Sequence, residues 1–175
     1  MKYPNFTAGH GEAIINIIGG WDRLMAVLQG RARLIVEMIR YIVNLAADPH
    51  CPEGWTVIYH NPGPSNFEYT PDSFKLHLSP NQQNGKWIKG WDLFWELVAR
   101  GPRVNANMID FWLANADAFP KEWNVVYCWD TLYLNPFGRV CVRCVYRFGG
   151  KLRSFWCWLG DDFGANSPAA VPASS

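Results

Sequence analysis

The sequence has little net charge, no long uninterrupted apolar run and no ordered cysteine framework, and each shortage removes a class of protein. Sixteen Lys and Arg against fifteen Asp and Glu leave a formal charge of +1. No global field therefore draws the chain to nucleic acid or to an anionic lipid surface. The most apolar stretch, 34–47, is interrupted by Glu37 and Arg40 and is too short to span a bilayer. The opening Met1-Lys2-Tyr3-Pro4-Asn5-Phe6 lacks an apolar segment followed by a small-residue cleavage site, so no targeting peptide is expected. Five cysteines, an odd number with no close-set framework, fit free thiols in a reducing compartment, and the expected location is the cytoplasm.

Signatures of chemistry are equally scarce. Cys141 and Cys144 have CxxC spacing, but within a strand a separation of three puts them on opposite faces, and no second pair completes a zinc site. His10, His50, His60 and His77 form no HExxH pattern. Gly9-His10-Gly11 and Gly19-Gly20 do not continue into a phosphate loop or a dinucleotide fingerprint, and there is no GxSxG. His50-Cys51, held between Pro49 and Pro52, reads as a loop rather than a nucleophile dyad. Asp161-Asp162 reads as a solvated loop. No catalytic residue, metal or cofactor is expected, and an enzyme is the less favoured reading.

What the chain does have is apolar mass. Of 175 residues 49% are hydrophobic, and ten are Trp, which is enough to build a core. The patterning predicts an α+β fold as a single domain over 1–165. Helices are expected in 11–47, broken at Gly19-Gly20 and stopped by Asp48-Pro49. A mixed part follows over 51–119, with strands at 55–59 and 74–78, a helix at 91–99, and a helix capped by Asn105. A three-stranded antiparallel meander is expected over 124–159, turning at Asn135-Pro136-Phe137-Gly138 and at Gly149-Gly150. The Pro-, Ala- and Ser-rich 166–175 is expected as a flexible tail.

Two-residue turns would set Asp130 opposite Arg143 and Arg143 opposite Trp156. One face of the meander, with Tyr127, Trp129, Tyr133, Val142 and Cys144, then packs on the helices. The other carries Arg139, Arg143, Arg147, Asp130, Trp156 and Trp158. These six residues are the candidate binding set. Cross-strand pairing alone accounts for them at about 0.2–1 kcal/mol per pair; a ligand surface requires the face to be uncovered.

Several dispersed segments carry a resemblance. They are Ile17-Ile18-Gly19-Gly20 through Leu28-Gln29-Gly30, Asp48-Pro49-His50-Cys51-Pro52-Glu53-Gly54-Trp55 and Leu78-Ser79-Pro80-Asn81-Gln82-Gln83-Asn84-Gly85-Lys86. Asn105-Ala106-Asn107, Pro120-Lys121-Glu122-Trp123, Tyr127-Cys128-Trp129-Asp130-Thr131 and Val140-Cys141-Val142-Arg143 continue it. Together they resemble a family of hypothetical proteins encoded by small-genome candidate-phylum bacteria. That resemblance implies a bacterial, cytoplasmic protein inherited as one unit, and it implies no activity. Where those proteins carry Phe-Trp-Gly-Thr, this chain carries Cys128-Trp129-Asp130-Thr131.

Three functions follow as expectations. The first is a non-catalytic module whose partner is another protein, because Trp and Arg dominate contact hot spots. The second is nucleic-acid binding through Arg139, Arg143 and Arg147, with the strong salt dependence of phosphate contacts. The third is an enzyme that assembles His60, His77 or Asp130 by folding.

Overall fold

The protein is described by a computed structural model, which covers residues 20–29 and 40–173. The chain divides into two compact units, Met1–Ile39 and Arg40–Ser175. In the first, helix α1 (Trp21–Leu28) starts directly after Gly20, whose φ is +108°. The helical expectations over 11–19 and 30–39 lie outside the described residues.

The second unit is mixed α and β. Its strands are β1 (Tyr41–Val43), β2 (Thr56–His60), β3 (Phe67–Tyr69), β4 (Phe74–His77), β5 (Ile88–Lys89), β6 (Val125–Leu134), β7 (Val140–Phe148), β8 (Lys151–Trp158), β9 (Asp162–Phe163) and β10 (Ala169–Pro172). Helix α2 (Gly90–Arg100) and helix α3 (Asn107–Ala114) lie between β5 and β6 in sequence. The main sheet runs β4-β10-β6-β7-β8, and β2 joins it on β6. Antiparallel neighbours dominate, and β10 alone lies parallel to β6.

Strand β6 reads VVYCWDTLYL, a nearly unbroken apolar run, and all but its two end residues are buried. That is the signature of a central strand covered on both faces. Val126 and Cys128 point into one core with Met108, Ile109 and Trp112 of α3. Tyr127 and Trp129 point into the other with Leu93, Phe94 and Leu97 of α2. Since alternate residues of a strand face opposite ways, the two helices cover opposite faces of the sheet. The sheet therefore has no single core face of the kind the sequence suggested.

Two departures from regular pairing set the register. In the first hairpin Asn135 N–H donates to Arg139 O and Gly138 N–H to Asn135 O. With Gly138 at φ +73° the loop is a three-residue turn with a left-handed glycine, one residue longer than expected. Further along, Cys128 pairs with Arg143 while Leu132 pairs with Val142, so residues 129–131 bulge out of the ladder. Cys128, not Asp130, opposes Arg143, and Tyr133 moves to the opposite face from Trp129. In the second hairpin Gly149 and Gly150 have φ of +57° and +76°, which suits a two-residue turn, and Arg143 opposes Trp156.

Two segments differ from their sequence expectation. Residues 41–43 are strand, not helix, because β1 pairs with β3 and the backbone beyond it is taken up by Pro64 and Gly63, which exchange hydrogen bonds with Leu45. Residues 169–172 are not a flexible tail: β10 inserts between β4 and β6, with Ala169, Ala170 and Val171 at 1% exposure or less. Small side chains suit a strand wedged between both helical layers.

Helix α2 begins without a side-chain cap; instead Gly90 N–H donates to Asp161 O and Trp91 N–H to Leu159 O. The approach is so close that a Cβ on Gly90 would lie 2.7 Å from Leu159 Cα. Gly90→Ala should destabilise the fold by about 1–3 kcal/mol, read as a lower urea midpoint. An unchanged midpoint would contradict this packing.

Candidate functional site

Strand β8 is the last strand of the sheet on its side. Leu159 N–H donates to Val140 O, and bonded pairs alternate along an antiparallel ladder. Cys157, Phe155 and Arg153 therefore direct their backbone groups at β7, while Trp156, Ser154 and Leu152 direct theirs outward. No other backbone group among the described residues takes up those three.

Edges of this kind are ordinarily blunted by charge, proline or a covering element. Here the charges, Lys151 and Arg153, sit at the hairpin end, and Ser154-Phe155-Trp156-Cys157-Trp158 that follows is uncharged. Phe155 is 58% exposed and Trp158 39%. On one side of the edge, Trp55, Trp156, Trp158 and Arg139 border a groove of about 330 Å³ that Asn135 and Asp161 also line. Trp55 lies 5.6 Å from Trp156 between ring centroids. The Arg139 guanidinium lies 4.9 Å from the Trp158 ring, a cation–π distance. The indole Nε1 of Trp156 is buried without a hydrogen-bond partner among the described residues.

The six candidate binding residues do not form one surface. Trp156, Trp158 and Arg139 gather at the open end. Arg143 is 3% exposed: its Nη1 donates to Asp110 Oδ1 of α3 at 2.7 Å, and its carbon Cζ stands 5.1 Å over Trp156. Arg147 is half-buried and stacks on Phe119 at 5.4 Å. The phosphate-binding row foreseen for Arg139, Arg143 and Arg147 is thus divided, because α3 covers its middle and Asp110 neutralises Arg143.

Asp130 lies elsewhere, in the bulge of β6, where sequence reasoning missed its partner. Arg103 Nε donates to Asp130 Oδ1 at 2.6 Å, and Nη2 forms an ion pair with the same oxygen at 2.6 Å, with the two side chains 7% and 4% exposed. Asn61 Nδ2 donates to Asp130 Oδ2, and Arg103 Nη2 also donates to the Tyr59 hydroxyl. The bulged backbone is satisfied in the same place: Asp130 N–H donates to Val104 O and Asn61 N–H to Asp130 O. A cavity of about 440 Å³ adjoins the pair, walled by Leu45, Pro62, Phe67, Phe74 and Pro172. Its polar groups are largely spent on one another, as the Asn105 side chain is on Leu45 O and Asn61 O.

His60 lies near Asp130, whose charge acts on it, whereas His77 is set among Arg100, Glu96 and Lys75, so the three do not share one site. His60 Nδ1 is 2.9 Å from Thr131 Oγ1, and burial pushes both imidazoles below the usual histidine range. Cys141 and Cys144 lie on opposite faces of β7. Among the described residues no group of three His, Cys, Asp or Glu side chains could hold a metal ion, and no helix is long and apolar enough to cross a membrane. No protein-family model matches the chain, nor does any curated protein or solved structure.

Removing one partner of a buried ion pair strands the other charge. Asp130→Ala should cost about 3–5 kcal/mol, and Arg103→Met with Asp130→Ala should recover most of that loss. Denaturant midpoints of the wild type and the two variants check this; a double variant as unstable as Asp130→Ala would refute a charge-based role.

Proposed function

We propose that this protein is a non-catalytic interaction module that takes an extended segment of another protein as an added strand on the free edge of β8. The observation that carries this reading is an unprotected edge bordered by aromatic side chains. Added strands gain affinity from main-chain hydrogen bonds and specificity from pockets for alternate side chains.

The outward backbone of Leu152, Ser154 and Trp156 supplies the hydrogen-bonding groups. An incoming strand has a two-residue period, so its side chains alternate between the Trp55, Trp156 and Trp158 groove and the opposite side, where Phe155 is exposed. The partner segment fitting this edge has apolar or aromatic side chains at alternate positions. It carries an acidic residue where it passes Lys151 and Arg153. Large, stiff indoles make good contact anchors because they lose little conformational entropy on binding.

Ser154→Pro tests the reading directly, because its N–H faces away from β7 and proline is tolerated on an edge. Selection of random twelve-residue displayed peptides on the wild-type protein should yield binders with alternating apolar positions. Their affinity should fall at least about tenfold for Ser154→Pro, the effect of one or two lost hydrogen bonds, and also for Trp158→Ala. Both variants should keep the wild-type circular dichroism. Selected peptides that bind both variants with wild-type Kd would overturn the proposal.

A further inference from the structure

On the side of the sheet away from Trp156, three reactive groups converge that the docking edge does not use. Cys144 opposes Phe155 and Cys157 opposes Val142. The two thiols are therefore diagonal neighbours on one face. The Tyr127 hydroxyl reaches one of them, with Oη 3.3 Å from Cys157 Sγ. These groups open onto a groove of about 400 Å³ lined also by Tyr146, Phe155 and Asn166. Cys157 is half-buried, so a small molecule reaches its sulfur, whereas Cys144 lies behind it at 3% exposure.

The environments separate the two sulfurs. Hydrogen bonds from Cys144 and then from Tyr127 hold the Cys157 thiol below the ordinary thiol range, against the opposing effects of burial and the Asp161 carboxylate. Cys144 is held above that range by its hydrogen bond to Cys157 and by burial. Burial likewise pushes up Cys128 and Cys141, the latter to about 11. The thiolate is the nucleophilic form of cysteine. A half-buried thiol whose titration is displaced downward, beside a deeply buried second thiol, is the arrangement of an attacking and a resolving cysteine.

We infer that Cys157 and Cys144, with the Tyr127 hydroxyl, form a hydroperoxide-reactive dithiol that closes to an intramolecular disulfide. The Cys157 thiolate attacks one oxygen of the hydroperoxide. An S–O bond forms, the O–O bond breaks, and the departing oxygen leaves as an alcohol, or as water from hydrogen peroxide, after taking a proton from solvent. The Cys144 sulfur then attacks the sulfenic sulfur, the S–O bond breaks, and hydroxide leaves as water with the Cys144 proton. Two thiols lose two electrons and the hydroperoxide gains them. Diagonal partners in an ideal ladder stand about 7–8 Å apart at Cα, slightly beyond disulfide range. Closure therefore requires β8 to shift slightly along β7, a movement open to an edge strand with one neighbour.

The test uses the full chain in a Cys51→Ser background, so that the remaining half-exposed thiol does not compete. One equivalent of cumene hydroperoxide should produce a Cys144–Cys157 disulfide, read by non-reducing peptide mass spectrometry. Cys157→Ser should slow peroxide consumption at least tenfold. Cys144→Ser should stop at a sulfenic acid on Cys157, trapped by dimedone. Tyr127→Phe should move the pH midpoint for alkylation of Cys157 upward, a change that a purely structural role would not produce. Peroxide consumption unaffected by Cys157→Ser, or no dimedone adduct in Cys144→Ser, would overturn the assignment. Failure of peptide selection on β8 would leave these outcomes unchanged, because none of them depends on a docked strand.

Discussion

The ion pair between Asp130 and Arg103 is the constraint on which the sheet depends. Strand β6 has two partners on one edge: β10 beside its first half at Tyr127 and β2 beside its second half from Thr131 to Leu134. Where the two diverge, the backbone of β6 would lack partners. The bulge turns Asp130 into that gap, and the loops at Asn61 and Val104 supply the missing hydrogen bonds. Arg103 then neutralises the buried carboxylate while tying itself to Leu97 and Gly101 at the end of α2. One charge pair thus fastens a helix and two strand neighbours to the central strand.

From that junction follows the unequal use of the sheet's two ends. Toward β2 and β10 every edge of β6 is taken, and both faces are covered by α2 and α3. Toward β8 the cover thins: α3 reaches Arg143 through Asp110, but Trp158 and Phe155 extend beyond it. The same distribution that buries Arg143 leaves Arg139 and two indoles at the rim. The aromatic rim and the core are therefore continuous, with Trp156 belonging to both.

How far this was legible in the sequence depends on the range of the forces involved. The α+β class could be read because Gly149-Gly150 and the apolar run of β6 are local features, as is the apolar stripe of α2. The register of β7 with β8 could be read from the same glycines, but that of β6 with β7 could not. It needed a left-handed Gly138 that lengthened one turn by a residue, and a bulge stabilised by groups far along the chain. Asp130 was singled out for its charge, yet its partner Arg103 lies 27 residues away, and no periodicity links them. Residues 169–172 were misread for a physical reason: Ala-Ala-Val-Pro looks like loose composition unless its two neighbouring strands are known. Trp156 and Trp158 were visible as aromatic residues of one strand, but that β8 is an edge is a property of topology alone.

The position of β10 also bears on how the protein reaches its native state. Ala169 pairs with His77, 92 residues earlier, and with Tyr127, so β4 and β6 remain unjoined until the segment at 169–172 arrives. During synthesis the β6-β7-β8 hairpins can form as each is completed, since their contacts are local. The sheet itself closes late, by insertion of a strand between two waiting edges. Until then both edges present unpaired backbone, as the rim of β8 does, and unpaired strand edges are what favour pairing between chains.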